Sequence, residues 1–94
     1  MSINSDFLLV DNSAATAAKL WSGGPGTIIL YSSNWNSATA TFQISADGTN
    51  YVAPGAESVF TADEAINFNI PSGHYMKVVI SGSPTALYAQ VTDI

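Results

Sequence analysis

The chain has no cysteine and only two basic residues, Lys19 and Lys77, among its 94 residues. Without cysteine it can form no disulfide framework, no thiolate nucleophile and no cysteine zinc site. Two cations cannot supply the phosphate contacts of a nucleic-acid binder or the charge of a polybasic membrane anchor. We therefore expect no nucleic-acid partner, no membrane partner, and assembly in a reducing cytoplasm.

Charge of either sign is scarce, because charged residues make up 10% of the chain against about 25% in an ordinary soluble domain. A surface of Ser, Thr, Asn and Gly suits close packing against another protein, or a rigid extracellular module. One domain of 94 residues buries a small core, so a partner would stabilise it. No apolar run approaches a membrane span or the core of a signal peptide.

Strict alternation of apolar and polar residues is the clearest pattern that is present. It is most regular over 38–46, and the turn signal Asp47-Gly48 follows at once. A period of two is typical of a strand with one buried face, and Gly48 supplies the positive φ of a tight hairpin turn. The pattern recurs to the C-terminus and predicts an all-β fold, a two-sheet antiparallel β-sandwich, jelly-roll or immunoglobulin-like, with about eight short strands.

The N-terminal part of the chain is less regular. Residues 1–10 are predicted to be an arm, and residues 11–94 a single sandwich domain. The arm ends in the apolar run Phe7-Leu8-Leu9-Val10, which we expect to reach onto a neighbouring subunit because it is too apolar to stay in water. The alanines in segment 14–21 favour a helix by propensity. The short length of the segment and its tryptophan favour a strand, and we predict a strand here. Gly73 is predicted to occupy a second hairpin turn.

Alternation also predicts which side chains form the core. The expected inward residues are Phe42, Ile44, Ile66, Phe68, Ile70, Met76, Val78, Ile80, Leu87, Ala89 and Val91. The expected outward residues are Thr41, Gln43, Asn67, Asn69, Lys77, Gln90 and Thr92. Segment 27–32 is apolar on both faces, which indicates a central strand or a strand that meets a partner.

No cluster of residues indicates catalysis, a metal or a cofactor. His74 is the only histidine, and no serine stands in a G-x-S-x-G elbow. The adjacent acids Asp63-Glu64 point apart and fit a solvated turn, and the oxygens of turn 47–50 resemble those of many turns that bind no Ca²⁺. We expect no enzyme, metal or cofactor, with a small hydrolase based on His74 as an alternative.

Aromatic residues offer a different kind of site, because Tyr and Trp anchor protein interfaces and also stack on sugar rings. Trp35 stands between two asparagines in a turn and is the best candidate for an exposed contact. The residues predicted to form an interface are Phe7, Leu8, Leu9, Val10, Ile29, Tyr31 and Trp35.

Three motifs resemble those of a known group of proteins. They read ISADGTNYV over 44–52, FNIPSGHY over 68–75 and SGSPTALYA over 81–89. They are similar to motifs in short virion structural proteins of tailed bacteriophages, of the capsid decoration or cement type. The resemblance covers roughly 21–94, and it departs at His74 and Met76, where such proteins often have arginine.

This resemblance implies a function and a partner. It implies a virion protein, made in the host cytoplasm, that binds the major capsid protein, stabilises the shell and forms a homo-oligomer, most often a trimer. A second reading stays open, namely a carbohydrate- or receptor-binding module on a phage tail or head fibre. That module would use an exposed Trp35 beside a tyrosine.

Overall fold

Nine short strands make up the fold in the computed structural model, which describes residues 8–55 and 58–93. They are β1 (Leu8–Asp11), β2 (Ala14–Ala15), β3 (Lys19–Leu20), β4 (Gly24–Tyr31), β5 (Thr39–Ser45), β6 (Val59–Phe60), β7 (Glu64–Ile70), β8 (Tyr75–Ser81) and β9 (Tyr88–Asp93). A five-stranded sheet has the order β2-β1-β9-β4-β7, and a four-stranded sheet has the order β3-β8-β5-β6. All pairings between strands are antiparallel, and the predicted two-sheet sandwich is confirmed.

The core confirms the alternation pattern. Every residue predicted to point inward is buried or packs against the buried cluster. Thr92, predicted to point outward, is 9% exposed. It lies on β9, which has β1 and β4 on either side, and a central position leaves little of a short side chain accessible. Further core residues are Leu9, Val10, Trp21, Ile28, Leu30, Ala38, Ala40 and Phe60.

The N-terminal boundary requires a correction, because residues 8–10 belong to the sandwich rather than to an arm. The pairing of β1 with β9 shifts register between Leu8 and Val10, which is a β-bulge. A bulge lets two successive side chains face the same way, and Leu9 and Val10 are both 0% exposed. These two apolar side chains pack in this chain's own core. The prediction that they contact a neighbouring subunit is therefore wrong. Phe7 lies outside the described residues.

Segment 14–21 is not the single strand that the sequence predicts. It forms β2 in the five-stranded sheet and β3 in the four-stranded sheet, so the chain changes sheets between them. Thr16 holds the crossing in place, since its backbone NH donates to the Leu9 carbonyl at 3.1 Å and its hydroxyl to the Leu8 carbonyl at 2.8 Å. Short side chains allow this close passage over β1.

The two predicted glycine turns have different roles. Gly48 has φ +79° and lies in the loop that brings Val52 back to pair with Ile44, as a hairpin requires. Gly73 has φ +86°, but its loop joins β7 in one sheet to β8 in the other. The hairpin assignment of Gly73 is therefore wrong, although its positive φ agrees with the prediction. Both glycines redirect the chain sharply.

Candidate interaction surface

The outer side of the five-stranded sheet is turned away from the core. It carries no charged side chain on β4, on β7 or over 88–92 of β9. Strand register places on it Leu8, Pro25, Thr27, Ile29, Tyr31, Ala65, Asn67, Asn69, Tyr88, Gln90 and Thr92. Alternation explains the arrangement, because Ile28 and Leu30 on β4 are 0% exposed and their neighbours must point the other way. We call these eleven side chains the outer face. Asp11 is exposed on the same side of the sheet, because it follows the inward Val10 on β1, and the pairing of Val10 with Ala89 places it beside Tyr88.

Apolar residues gather at the centre of the outer face. Leu8 pairs with Gln90, Gln90 with Ile29, and Ile29 with Ala65, so one row crosses four strands. Beside this row, the rings of Tyr31 and Tyr88 stack with centroids 5.5 Å apart and planes at 23°. Ile29 and Tyr31 each remain 39% exposed.

The fold places some of the predicted interface residues on the outer face and others in or against the core. Leu8, Ile29 and Tyr31 come from β1 and β4, which are far apart in sequence, and the sheet brings them onto one face. Tyr88 and Gln90 on β9 join them, although the sequence prediction left both out of the interface. The pairing of β9 between β1 and β4 places them there, and no short-range pattern reveals such a pairing.

Trp35 lies in the loop between β4 and β5 and not on a strand of the outer face. It is half-buried and packs against the core. Its indole NH donates to Asp63 Oδ1 at 2.7 Å, and the same oxygen accepts the Ser32 backbone NH at 3.0 Å. These two hydrogen bonds, the Trp35 bond first, hold the pKa of Asp63 below its ordinary value. Trp35 thus fixes two loops together instead of standing free as an exposed contact.

A shallow pocket of about 290 Å³ brings the only histidine close to a serine and an acid. Its lining includes Ser45, Asp47 and His74. The Ser45 hydroxyl donates directly to Asp47 Oδ1 at 2.9 Å and accepts the Gly48 backbone NH at 2.9 Å. His74 Nδ1 lies 3.0 Å from the Pro71 carbonyl oxygen. A hydrolytic triad needs the serine bonded to histidine and the histidine to the acid, and the hydrogen bonds here follow a different order.

Asp47 organises the turn that borders this pocket. Its Oδ1 accepts the backbone NH groups of Thr49 and Asn50, each at 2.8 Å, and its Oδ2 accepts the Asn50 side-chain amide at 2.8 Å. These bonds, those from Asn50 and Thr49 foremost, hold the pKa of the carboxyl well below its usual range. Both carboxylate oxygens of Asp47, which were among those considered for Ca²⁺, therefore bond to the turn itself. Within 8–55 and 58–93, no three His, Asp or Glu side chains gather as metal ligands would.

Comparison with models of known protein families finds no match for this chain, and comparison with curated proteins finds none. Across the described parts of the chain, no helix has the length and apolar character needed to cross a membrane. The resemblance to phage virion proteins therefore rests on the three sequence motifs and stays a prediction.

Proposed function

We propose that this chain is a structural protein of a tailed-phage virion, of the decoration or cement type, which binds the capsid shell through the outer face. The observation that carries this proposal is the uncharged outer face with apolar side chains at its centre. The motif resemblance supplies the phage context. The fold supplies a sandwich whose loops are held by hydrogen bonds such as those of Ser45 with Asp47 and of Trp35 with Asp63.

Physical chemistry favours the outer face as a contact surface. Protein interfaces place apolar and aromatic groups at the centre, deplete charge there, and surround them with polar groups. Ile29 and the stacked pair Tyr31 and Tyr88 provide such a centre. The amides and hydroxyls around them, as on Thr27 and Gln90, can form hydrogen bonds at the rim. Because no ion has to leave water at this centre, desolvation costs little.

The opposite outer surface, on the four-stranded sheet, suits this role less well. It exposes three large apolar side chains, Leu20, Val59 and Val79, at 56%, 47% and 43%. It also carries Lys77, whose Nζ lies 4.1 Å from the centroid of the Tyr51 ring. A cation in the middle of a contact would have to be desolvated or paired. This surface therefore supplies a control for the outer face.

The proposal includes a partner and an assembly state. The partner is the major capsid protein, and several copies act together, three being the number that the resemblance implies. A small protein gains from such assembly, because each added contact buries surface that its own core leaves in water. Shells that carry the protein should consequently withstand a higher temperature than shells that lack it.

A matched pair of substitutions tests the proposal. Ile29→Lys puts a charge at the centre of the outer face, whereas Val79→Lys puts one at a similarly exposed strand position on the other sheet. We expect Ile29→Lys to weaken binding to undecorated shells at least tenfold, about 1.4 kcal/mol, and Val79→Lys to leave it within about twofold. Sedimentation of shells with labelled protein measures both, and circular dichroism checks that both variants fold.

The opposite results would overturn the proposed function. They are wild-type binding by Ile29→Lys, equal losses in both variants, or no binding of the wild-type protein to shells. Binding of glycans that is lost on substitution of Trp35 would favour the receptor-binding reading instead.

A further inference from the structure

The two sheets have four edges, and one of them is long. The strands β2, β3 and β6 each contain two residues, so three edges offer little backbone to another chain. The fourth edge is β7, Glu64–Ile70, which contains seven residues. Among the described residues its one neighbouring strand is β4, so its other side faces no strand. At its last residue, the Ile70 carbonyl accepts the Trp21 indole NH at 3.0 Å.

Nothing in β7 blocks pairing with another strand. Natural edge strands are protected by shortness, by lysine or proline, or by bulges. The pairing of β7 with β4 is regular from Gly24 opposite Ile70 to Leu30 opposite Glu64, without a bulge. The strand EAINFNI contains no lysine and no proline, and its single charge stands at its first residue. Such an edge is a ready template for strand addition.

We propose that β7 pairs antiparallel with β7 of a second copy of this chain, across a two-fold axis at Asn67. This register pairs all seven residues of each strand. Glu64 then lies opposite Ile70 of the other copy, Ala65 opposite Asn69, and Ile66 opposite Phe68. The two five-stranded sheets become one continuous sheet of ten strands, twice the five in each copy.

Burial along β7 favours a second copy as the occupant. Ile66 and Phe68 point inward, yet each stays only partly buried at this end of the core. In the proposed register Ile66 packs beside Phe68 of the second copy, and Phe68 packs beside Ile66 of the second copy. The two hydrophobic cores therefore become continuous. On the outward side, Asn67 meets Asn67. Its Oδ1 already accepts the Thr27 hydroxyl at 2.7 Å within one copy, and an amide has a second lone pair on that oxygen and two NH donors with which to bond across the pair.

Charge along β7 is also compatible with self-pairing, although the chain has a net charge of −5. The two copies of Glu64 lie at opposite ends of the paired strands. Six residues of extended strand separate them by about 20 Å, which exceeds the screening length of about 8 Å at physiological salt. Like charges therefore do not face each other, as they would in a parallel pairing.

This inference does not depend on shell binding, but it requires an even number of chains where the resemblance implies three. A two-fold contact requires an even number of chains, so a three-fold assembly that uses it contains six. The resulting sheet would present two outer faces side by side, but shell binding through the outer face remains possible for a single copy.

The absence of cysteine allows a direct test by disulfide formation. Asn67→Cys places two thiols opposite each other with Cα atoms about 4.5–5.5 Å apart, within the range that a disulfide spans. Asn69→Cys is the matched control, since it has the same residue type and the same outward, exposed position two residues away. In the proposed register the two thiols of this control are separated by four residues along the strands, about 13 Å, which is too far for a disulfide.

We expect mild oxidation to convert most of the Asn67→Cys protein into a disulfide-linked dimer and to leave Asn69→Cys unlinked. We also expect light scattering of the unmodified protein to give an even multiple of 9.8 kDa. The inference is overturned if Asn67→Cys stays unlinked, if both variants link equally, or if the unmodified protein has one or three chains. Circular dichroism and thermal unfolding of both variants exclude misfolding as the cause, and the shell-binding assay separates this result from the proposed function.

Discussion

At the scale of single residues, the turn after β5 shows how the sequence determines local structure. The Ser45 hydroxyl and the Asp47 carboxylate accept hydrogen bonds from backbone NH groups of the turn. Gly48 supplies the left-handed conformation that these bonds require, with φ +79°. The Asp-Gly signal could be read from the sequence because every partner lies within a few residues.

Gly48→Val should lower the free energy of unfolding by about 1–3 kcal/mol, because a β-branched residue is strained at positive φ. A Cβ there would also lie 3.3 Å from Cε1 of Tyr75, which is a tight contact. Urea unfolding measures the change, and Ala46→Val, at an exposed neighbouring position, is the control. Equal stability of Gly48→Val and wild type would contradict the turn geometry.

Asp47→Asn should remove part of the protein's sensitivity to acid. The folded state holds the pKa of Asp47 well below its usual range, chiefly through Asn50 and Thr49. A lowered pKa stabilises the fold above the unfolded pKa of about 4, and this stabilisation is lost as the pH falls below that value. The Tm difference between wild type and Asp47→Asn should therefore be largest near neutral pH and shrink towards pH 2.

Thermal unfolding from pH 7 to pH 2 checks this dependence. Asp11→Asn removes the same charge from an exposed position and controls for the change in net charge. A difference in Tm that stayed constant across this range would show that the Asp47 hydrogen bonds do not depend on its charge.

At the scale of strands, the sequence predicted which side chains face inward but not which strands are neighbours. Alternation is local, so it identified Phe42 and Val78 as core residues, and the structure pairs them across β5 and β8. The partner of a strand depends on distant residues and on the path of the chain between sheets. For this reason the role of Gly73 and the split of segment 14–21 between two sheets escaped prediction.

Strand β1 provides an element-scale test, because its sequence suggested an arm and its structure shows a core strand. Leu9→Ala should lower the free energy of unfolding by about 2–5 kcal/mol, the usual cost of a cavity in a core. Leu8→Ala, on the half-buried outward side of the same strand, should cost clearly less. Urea unfolding compares the two, and a small, equal effect of both substitutions would indicate that β1 is not part of the folded core.

At the scale of the whole molecule, the outer face was only partly predictable. Segment 27–32 is apolar on both sides, and this pattern indicated Ile29 and Tyr31 as contact residues. That Leu8 and Tyr88 lie beside them follows only from the order of β1, β9 and β4 in the sheet, which the sequence pattern does not give. The sequence therefore pointed to individual candidate residues, and the fold places them on one surface.

Binding to shells should respond weakly to salt, because the eleven side chains of the outer face carry no charge and Asp11, beside Tyr88, adds a single one. We expect the Kd for undecorated shells to change by less than about threefold between roughly 50 and 500 mM salt. Titration of labelled protein against shells at several salt concentrations measures this. A loss of affinity of about a hundredfold or more would indicate that charged groups elsewhere on the chain make the contact.

The most direct test of the proposal that this chain is a phage capsid protein is an electron cryomicroscopy reconstruction of the particles that contain it. We expect density for the sandwich on the outside of the capsid shell, with Ile29, Tyr31 and Tyr88 turned towards the major capsid protein. Density found only at the tail or on a fibre, or a copy on the shell that turns the outer face to solvent, would contradict it.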